Sequence, residues 1–127
     1  MPTKSSINLK QKELIQDWFN KWEKGDFLNL PLTDNFTHTS PFGTIKGKQK
    51  YLNLVNANKD KFLGHQFEIH DKLYNTEHAC VRYTTKQNDG FSLDVSEWFY
   101  FKDDLIDAIV SYYHIGEIRE ERQLSNG

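Results

Sequence analysis

Glu97 sits inside an apolar run, Leu93-Asp94-Val95-Ser96-Glu97-Trp98-Phe99-Tyr100-Phe101, and this is where chemistry is most readily placed. Strand alternation that turns Glu97 inward takes Leu93, Val95, Phe99 and Phe101 with it and sends Asp94, Ser96, Trp98 and Tyr100 to the other face. Burial among such side chains raises a carboxyl's pKa and favours the neutral acid, whereas a neighbouring guanidinium keeps it ionised. Arg82 is the partner expected for that second role, provided the even positions Cys80, Arg82 and Thr84 of its strand face inward; a plain buried ion pair would leave the same trace. His38 and Ser40 share one face of a short strand, and an imidazole near its free pKa exchanges a proton at neutral pH. A histidine there that only satisfies a backbone carbonyl is the plainer reading.

Metal chemistry finds less support. His65 and His70 are read onto opposite faces of one strand, His78 falls at a turn, and no pair has the spacing of a helical HExxH site. Alternation also sets His114 opposite Tyr113, away from any cluster with His38 and Glu97. Gly43 and Gly47 lack the Gly-Lys-Ser pattern of a phosphate loop. Neither a metal nor another cofactor is expected. The single Cys80 has no intrachain disulfide partner and is read as a small buried hydrophobe.

The elements that must position these groups follow from periodicity. From Asn8 to Lys24, Leu14, Ile15, Trp18, Phe19 and Trp22 recur at helical spacing, with Ser6 or Asn8 to cap the start and Gly25 to end it. A link containing Pro31 leads to a short strand, Phe36 to Ser40, broken by Pro41 and Gly43. Residues 47–62 predict a second helix, weakened by Asn53, Asn56 and Asn58. Alternation then predicts strands over 66–74, with Phe67, Ile69 and Leu73 on one side, and over 79–86, 91–102 and 105–115. Asn75-Thr76-Glu77, Asn88-Asp89-Gly90 and Asp103-Asp104 supply the turns. The charged end, 119–127, reads as a short helical extension or a frayed tail. Helices first and long strands afterwards make an α+β fold, the helices packed on one face of a mostly antiparallel sheet. Long twisted strands curl that sheet into a cone with an apolar mouth, a setting for a small-molecule site.

The chain's 127 residues suit one domain over 1–127, with 1–7 and 120–127 as flexible ends. A formal charge of −2 with scattered Lys and Arg gives none of the field needed to neutralise phosphates, so nucleic acid is not an expected partner. No apolar run approaches a membrane span and the first residues lack a secretion pattern, which predicts a cytoplasmic protein without membrane contact. Trp98, Tyr100 and Tyr112 put more aromatic surface on the outward face than a solvated sheet carries, and a homodimer is the expected cover.

The order of helix, Gly25-Asp26 break, strand ending in Ser40-Pro41-Phe42-Gly43, Gly47-led helix, the Leu93 to Phe101 strand and the Ile106 to Tyr113 strand resembles the nuclear transport factor 2-like superfamily. It is most similar to the SnoaL-like and ketosteroid-isomerase-like branch, over about Leu9 to Arg122. The resemblance implies a cystatin-like roll, pairing through the convex face, and a pocket with Glu97 where the isomerases hold a neutral acid and Tyr113 as a lining aromatic. It makes the face of His38 and Ser40 the inner one. Ser40 stands where those enzymes carry a carboxylate base and Trp18 where they carry an oxyanion-binding Tyr, so steroid isomerisation itself is not implied. The Asp-Arg-Asp set of limonene epoxide hydrolases is matched at most by Arg82.

Three functions are therefore expected in order. The first is a pocket protein for a small, largely apolar molecule, with Glu97 and His38 as polar contacts, Ser40 beside them, and Trp18, Phe42, Phe99 and Tyr113 as walls. The second is a lyase, isomerase or hydrolase with His38 as base, Glu97 as acid and Arg82 stabilising an anionic oxygen. The third is a protein-binding module.

Overall fold

The structure, a computed structural model, describes residues 4–75, 77–87 and 90–114. The expected turn residues Thr76, Asn88 and Asp89, the end of the last strand at Ile115 and the tail 119–127 lie outside the described residues. Helix α1 spans Lys4–Lys24, starting earlier than the apolar spacing predicts. Its apolar stripe is buried, with Leu14, Ile15, Trp18 and Phe19 all in the core. Gly25 ends the helix at φ 78°, a left-handed position that costs a side chain energy and leaves glycine unstrained. The Asp26 amide then donates to the Lys21 carbonyl at 2.8 Å. A single 3-10 turn, Phe27–Asn29, tucks Phe27 into the core before the sheet begins.

Among the described residues six strands form one open sheet: β1 Leu32–Ser40, β2 Gly43–Lys46, β3 Gln66–Tyr74, β4 His78–Lys86, β5 Ser92–Lys102 and β6 Leu105–Tyr113. Their order is β2-β1-β6-β5-β4-β3. All neighbours are antiparallel except β1 and β6, which run parallel with His38 opposite Ile109. β1 is longer than predicted because Leu32 already pairs with Ile106. β2, absent from the sequence reading, is the second arm of a hairpin turned by Pro41 and Phe42; four residues are too few to show a period.

Between β2 and β3 the predicted long helix divides into α2, Lys48–Ala57, and α3, Lys59–Phe62. Asn58 makes the break at φ −113° and ψ 19°, its side-chain amide donating to the Leu54 carbonyl at 2.9 Å. An Asn that hydrogen-bonds its own local backbone competes with the helical ladder. Asp103 and Asp104, at φ 53° and 62°, form the two-residue turn between β5 and β6, a conformation suited to right-twisted hairpins.

The register of β3 shifts between Ile69 and Asp71. One extra residue there reverses the alternation, so Phe67 and Ile69 pack on the core while Leu73, predicted to join them, faces outward and Tyr74 turns in. Helices α1 and α2 cover the inner face, α1 against β3 and α2 against β1. The core of Phe36, Val81, Phe99, Ile106 and Ile109 lies between them. No helix among the described residues is long and apolar enough to cross a membrane.

Candidate functional site

Helices and sheet part beyond this core to leave a cavity of about 400 Å³, lined by Trp18, Trp22, His38, Tyr51, Phe62, Phe67, Tyr83, Glu97, Ser111 and Tyr113 among others. Its size is that of ordinary small-molecule sites. Aromatic side chains from both helical and sheet layers supply much of the wall.

Glu97 is held in this cavity by its neighbours on both sides. β5 places it opposite Val81 of β4 and Ser111 of β6, with the alternation predicted for Leu93 to Phe101. The Ser111 hydroxyl donates to Oε2 at 2.6 Å and the Tyr83 hydroxyl donates to the same oxygen at 3.2 Å. The second oxygen, Oε1, is buried without a hydrogen-bond partner. Removal from water pushes the Glu97 pKa from 4.5 up to about 7, against the opposing pull of the two hydroxyls. Near neutral pH the group is thus divided between acid and carboxylate, the condition that suits proton transfer in either direction. Burial and the Glu97 charge together hold the Tyr83 and Tyr51 phenols well above their usual pKa, so both are donors and neither ionises.

His38 lies on the inner face of β1 as the resemblance implied and lines the cavity. Tyr51 of α2 stacks on its ring, centroids 5.1 Å apart. Burial lowers its pKa to about 4, so the imidazole is neutral and a much weaker base than a free histidine. The expected assignment of base to His38 and acid to Glu97 therefore loses its footing, because the carboxyl is the group tuned to neutral pH.

Arg82 does not reach this site. The odd positions of β4 face inward, with Ala79, Val81 and Tyr83 buried, and Arg82 registers opposite Ser96 on the outer face. Its guanidinium is paired there with Asp71 at 2.8 Å. Tyr83 holds the place predicted for Arg82, and it brings a neutral donor where a cation was expected. Phe99 is likewise corrected from wall to core. It is fully buried, with its ring 5.9 Å from Trp18 and 6.2 Å from Phe19, and supports the wall from beneath. Trp18, Ser40, Phe42 and Tyr113 line the cavity. Phe42 is 63% exposed and its ring stands 6.0 Å from Tyr113. The Ser40 hydroxyl accepts the Phe42 amide at 3.2 Å and so shapes the β1–β2 turn.

Ser111, Tyr83, Tyr51 and Trp22 were not among the predicted site residues. Ser111 shares the parity of Ile109 and Tyr113 on β6 and could have been read from alternation. Tyr83 needed the parity of β4, which carries apolar residues on both faces. His65, read as one of two histidines on a strand, precedes β3 and lines the cavity; its Nδ1 lies 3.3 Å from the Thr85 hydroxyl. Among the described residues no group of three or more His, Cys, Asp or Glu is placed to hold a metal ion.

Several solved structures share this fold. A nuclear transport factor 2-like protein of unknown function from Mesorhizobium loti superposes with a TM-score of 0.73 at 17% identity, covering 90% of this chain and 97% of that one. A second, from Cytophaga hutchinsonii, gives 0.73 at 17% identity over 84% and 92% of the two chains. A candidate polyketide cyclase from Xanthomonas campestris gives 0.72 at 16% identity over 89% and 96%. At such identities the likeness establishes the fold alone. No curated protein matches the sequence. The model of the SnoaL-like domain matches residues 15–109, which hold the second half of α1, the hairpin, α2, α3 and the sheet as far as the middle of β6, and the chain belongs to this SnoaL-like family within the nuclear transport factor 2-like fold.

Proposed function

We propose that the chain binds a small, largely apolar molecule in the cavity between sheet and helices, with Glu97 and His38 as its polar contacts. The observation that carries this reading is a roomy aromatic-lined cavity holding a buried carboxyl, one oxygen of which has no partner. A buried acceptor left without a partner is costly, and a ligand donor removes that cost. Native mass spectrometry of freshly purified protein, with extraction of what it carries, is the first test. Thermal shift against the extracted molecule then asks whether Glu97→Gln removes the stabilisation. A chain that is always empty and is stabilised by nothing in a broad metabolite panel would sink the reading and favour the protein-binding module.

A catalytic use of the same cavity, as a lyase, isomerase or hydrolase, gains support from Glu97, whose pKa of about 7 suits a proton-transfer group. In that reading Glu97 exchanges the proton, Tyr83 and Ser111 set its orientation, and neutral His38 offers a hydrogen bond. Activity would then lie on a bell or sigmoid whose inflection near pH 7 disappears in Glu97→Gln. A homodimer accompanies either reading, formed through the outer sheet face on which Trp98, Tyr100 and Tyr112 stand exposed.

A further inference from the structure

The cavity has a charge pattern that narrows its occupant, on the footing of the pocket reading above. Among the described residues no Lys or Arg lines it. Among the described residues Glu97 thus meets no counterion in the wall when it ionises. Two hydroxyls already converge on Oε2 and stabilise the carboxylate against the larger opposing effect of burial, and Oε1 stands ready to accept. Around it lie the rings of Trp18, Trp22, Tyr51, Phe62, Phe67 and Tyr113.

We propose that the occupant is a lipophilic amine, a protonated nitrogen on an apolar body, whose N–H donates to Glu97 Oε1 while its charge rests against the aromatic faces. An alcohol would satisfy Oε1 and leave the buried negative charge unbalanced. A carboxylate ligand would add a second negative charge to an uncompensated one. A cation offsets the desolvation of Glu97 and gains from the ring quadrupoles, which act strongly where water is excluded. Three of the other titratable groups of the lining carry no charge near neutral pH. Tyr83 on β4 and Tyr51 on α2 stay neutral, burial keeps His38 on β1 uncharged, and the inner faces of α1 and β3 present Trp18, Trp22 and Phe67. Tyr113 on β6 and His65 ahead of β3 complete the set. Below neutral pH the protonated carboxyl must release its proton to solvent as the ammonium enters, so one proton leaves for each amine bound.

Isothermal titration of the full chain with a matched set, naphthylethylamine, naphthylethanol and naphthylacetate, tests this. At about pH 8 the amine should bind roughly tenfold or more tightly than the alcohol, with the acetate weakest. At about pH 6 the heat of amine binding should depend on the buffer's ionisation enthalpy, reporting the released proton, while that of the alcohol should not. Glu97→Gln should bring the amine down to the alcohol's affinity. An alcohol that binds as well as the amine overturns the amine assignment and leaves the pocket reading standing, whereas silence from all three probes removes the pocket reading itself. Retention of the amine preference in Glu97→Gln overturns the role of Oε1. Should that variant fail to fold, the buffer dependence of the unaltered chain decides, and its absence counts against the proposal.

Discussion

Glu97 and His38 bend the stability of this chain in opposite directions as pH changes. Glu97 has its folded pKa raised from 4.5 to about 7, so between these values the folded chain keeps a proton that the unfolded chain has released. Stability attributable to Glu97 therefore falls as pH rises through that window and is flat above it. His38 is lowered from 6.5 to about 4, so the unfolded chain holds the extra proton and stability rises with pH between those values. Each effect is about 3 kcal/mol at most, and over the shared range they nearly cancel. Urea titrations across this range should show a shallow profile for the unaltered chain, a rising one for Glu97→Gln and a falling one for His38→Gln. Parallel profiles in all three would show that neither group titrates as its surroundings dictate. Arg82→Ala, by contrast, should change stability by less than about 1 kcal/mol and leave ligand binding alone, because its pair with Asp71 is solvent-exposed.

At the scale of elements, the sequence made some positions legible and hid others for identifiable reasons. The alternation from Leu93 to Phe101 places Glu97 inward because every other residue of its parity is apolar, leaving a single register that buries them. β4 offered no such choice. Ala79, Val81 and Tyr83 on one parity compete with Cys80 and Thr84 on the other, and only pairing with β5 decides, which is why Arg82 was drawn into the site and Tyr83 left out. The β3 bulge is invisible to a period-two reading since it is the point at which the period fails, and Leu73 was misplaced with it. α1 was readable down to its terminating glycine. Gly25→Ala should cost about 1 to 2 kcal/mol, measured as a lowered Tm, through the left-handed backbone and a Cβ that would lie 2.7 Å from Leu63 Cδ2. Adding Leu63→Ala should recover the contact's share and none of the backbone's. Full recovery would mean that the conformation at position 25 carries no cost.

For the whole molecule, the outer face of the sheet is where apolar surface meets solvent. Trp98 and Tyr100 on β5 and Tyr112 on β6 are exposed there, and the outward turn of Leu73 adds to them. Sedimentation velocity at micromolar concentration should give a dimer, and the double change Trp98→Glu and Tyr112→Glu should give a folded monomer with its cavity intact. A monomeric unaltered chain would remove the dimer and leave the inner face unaffected, since the two faces share strands but no side chains. The family likeness bears on the sheet and helices as a scaffold. The contents of the cavity are set by the particular side chains that face it.

The parallel pairing of β1 with β6 has a consequence in time. β3 to β6 can zip as successive hairpins, each closing a short loop, but β1 must wait for β6, the last of the described strands in chain order, before His38 meets Ile109. The wall carrying His38 and Ser40 is then the last to close and the first to open. Substitutions on β1, such as Thr37→Ala, should speed unfolding while leaving the refolding rate nearly unchanged, and the reverse pattern is expected for the β4–β5 hairpin. A nascent chain would thus hold its meander before it could hold a ligand.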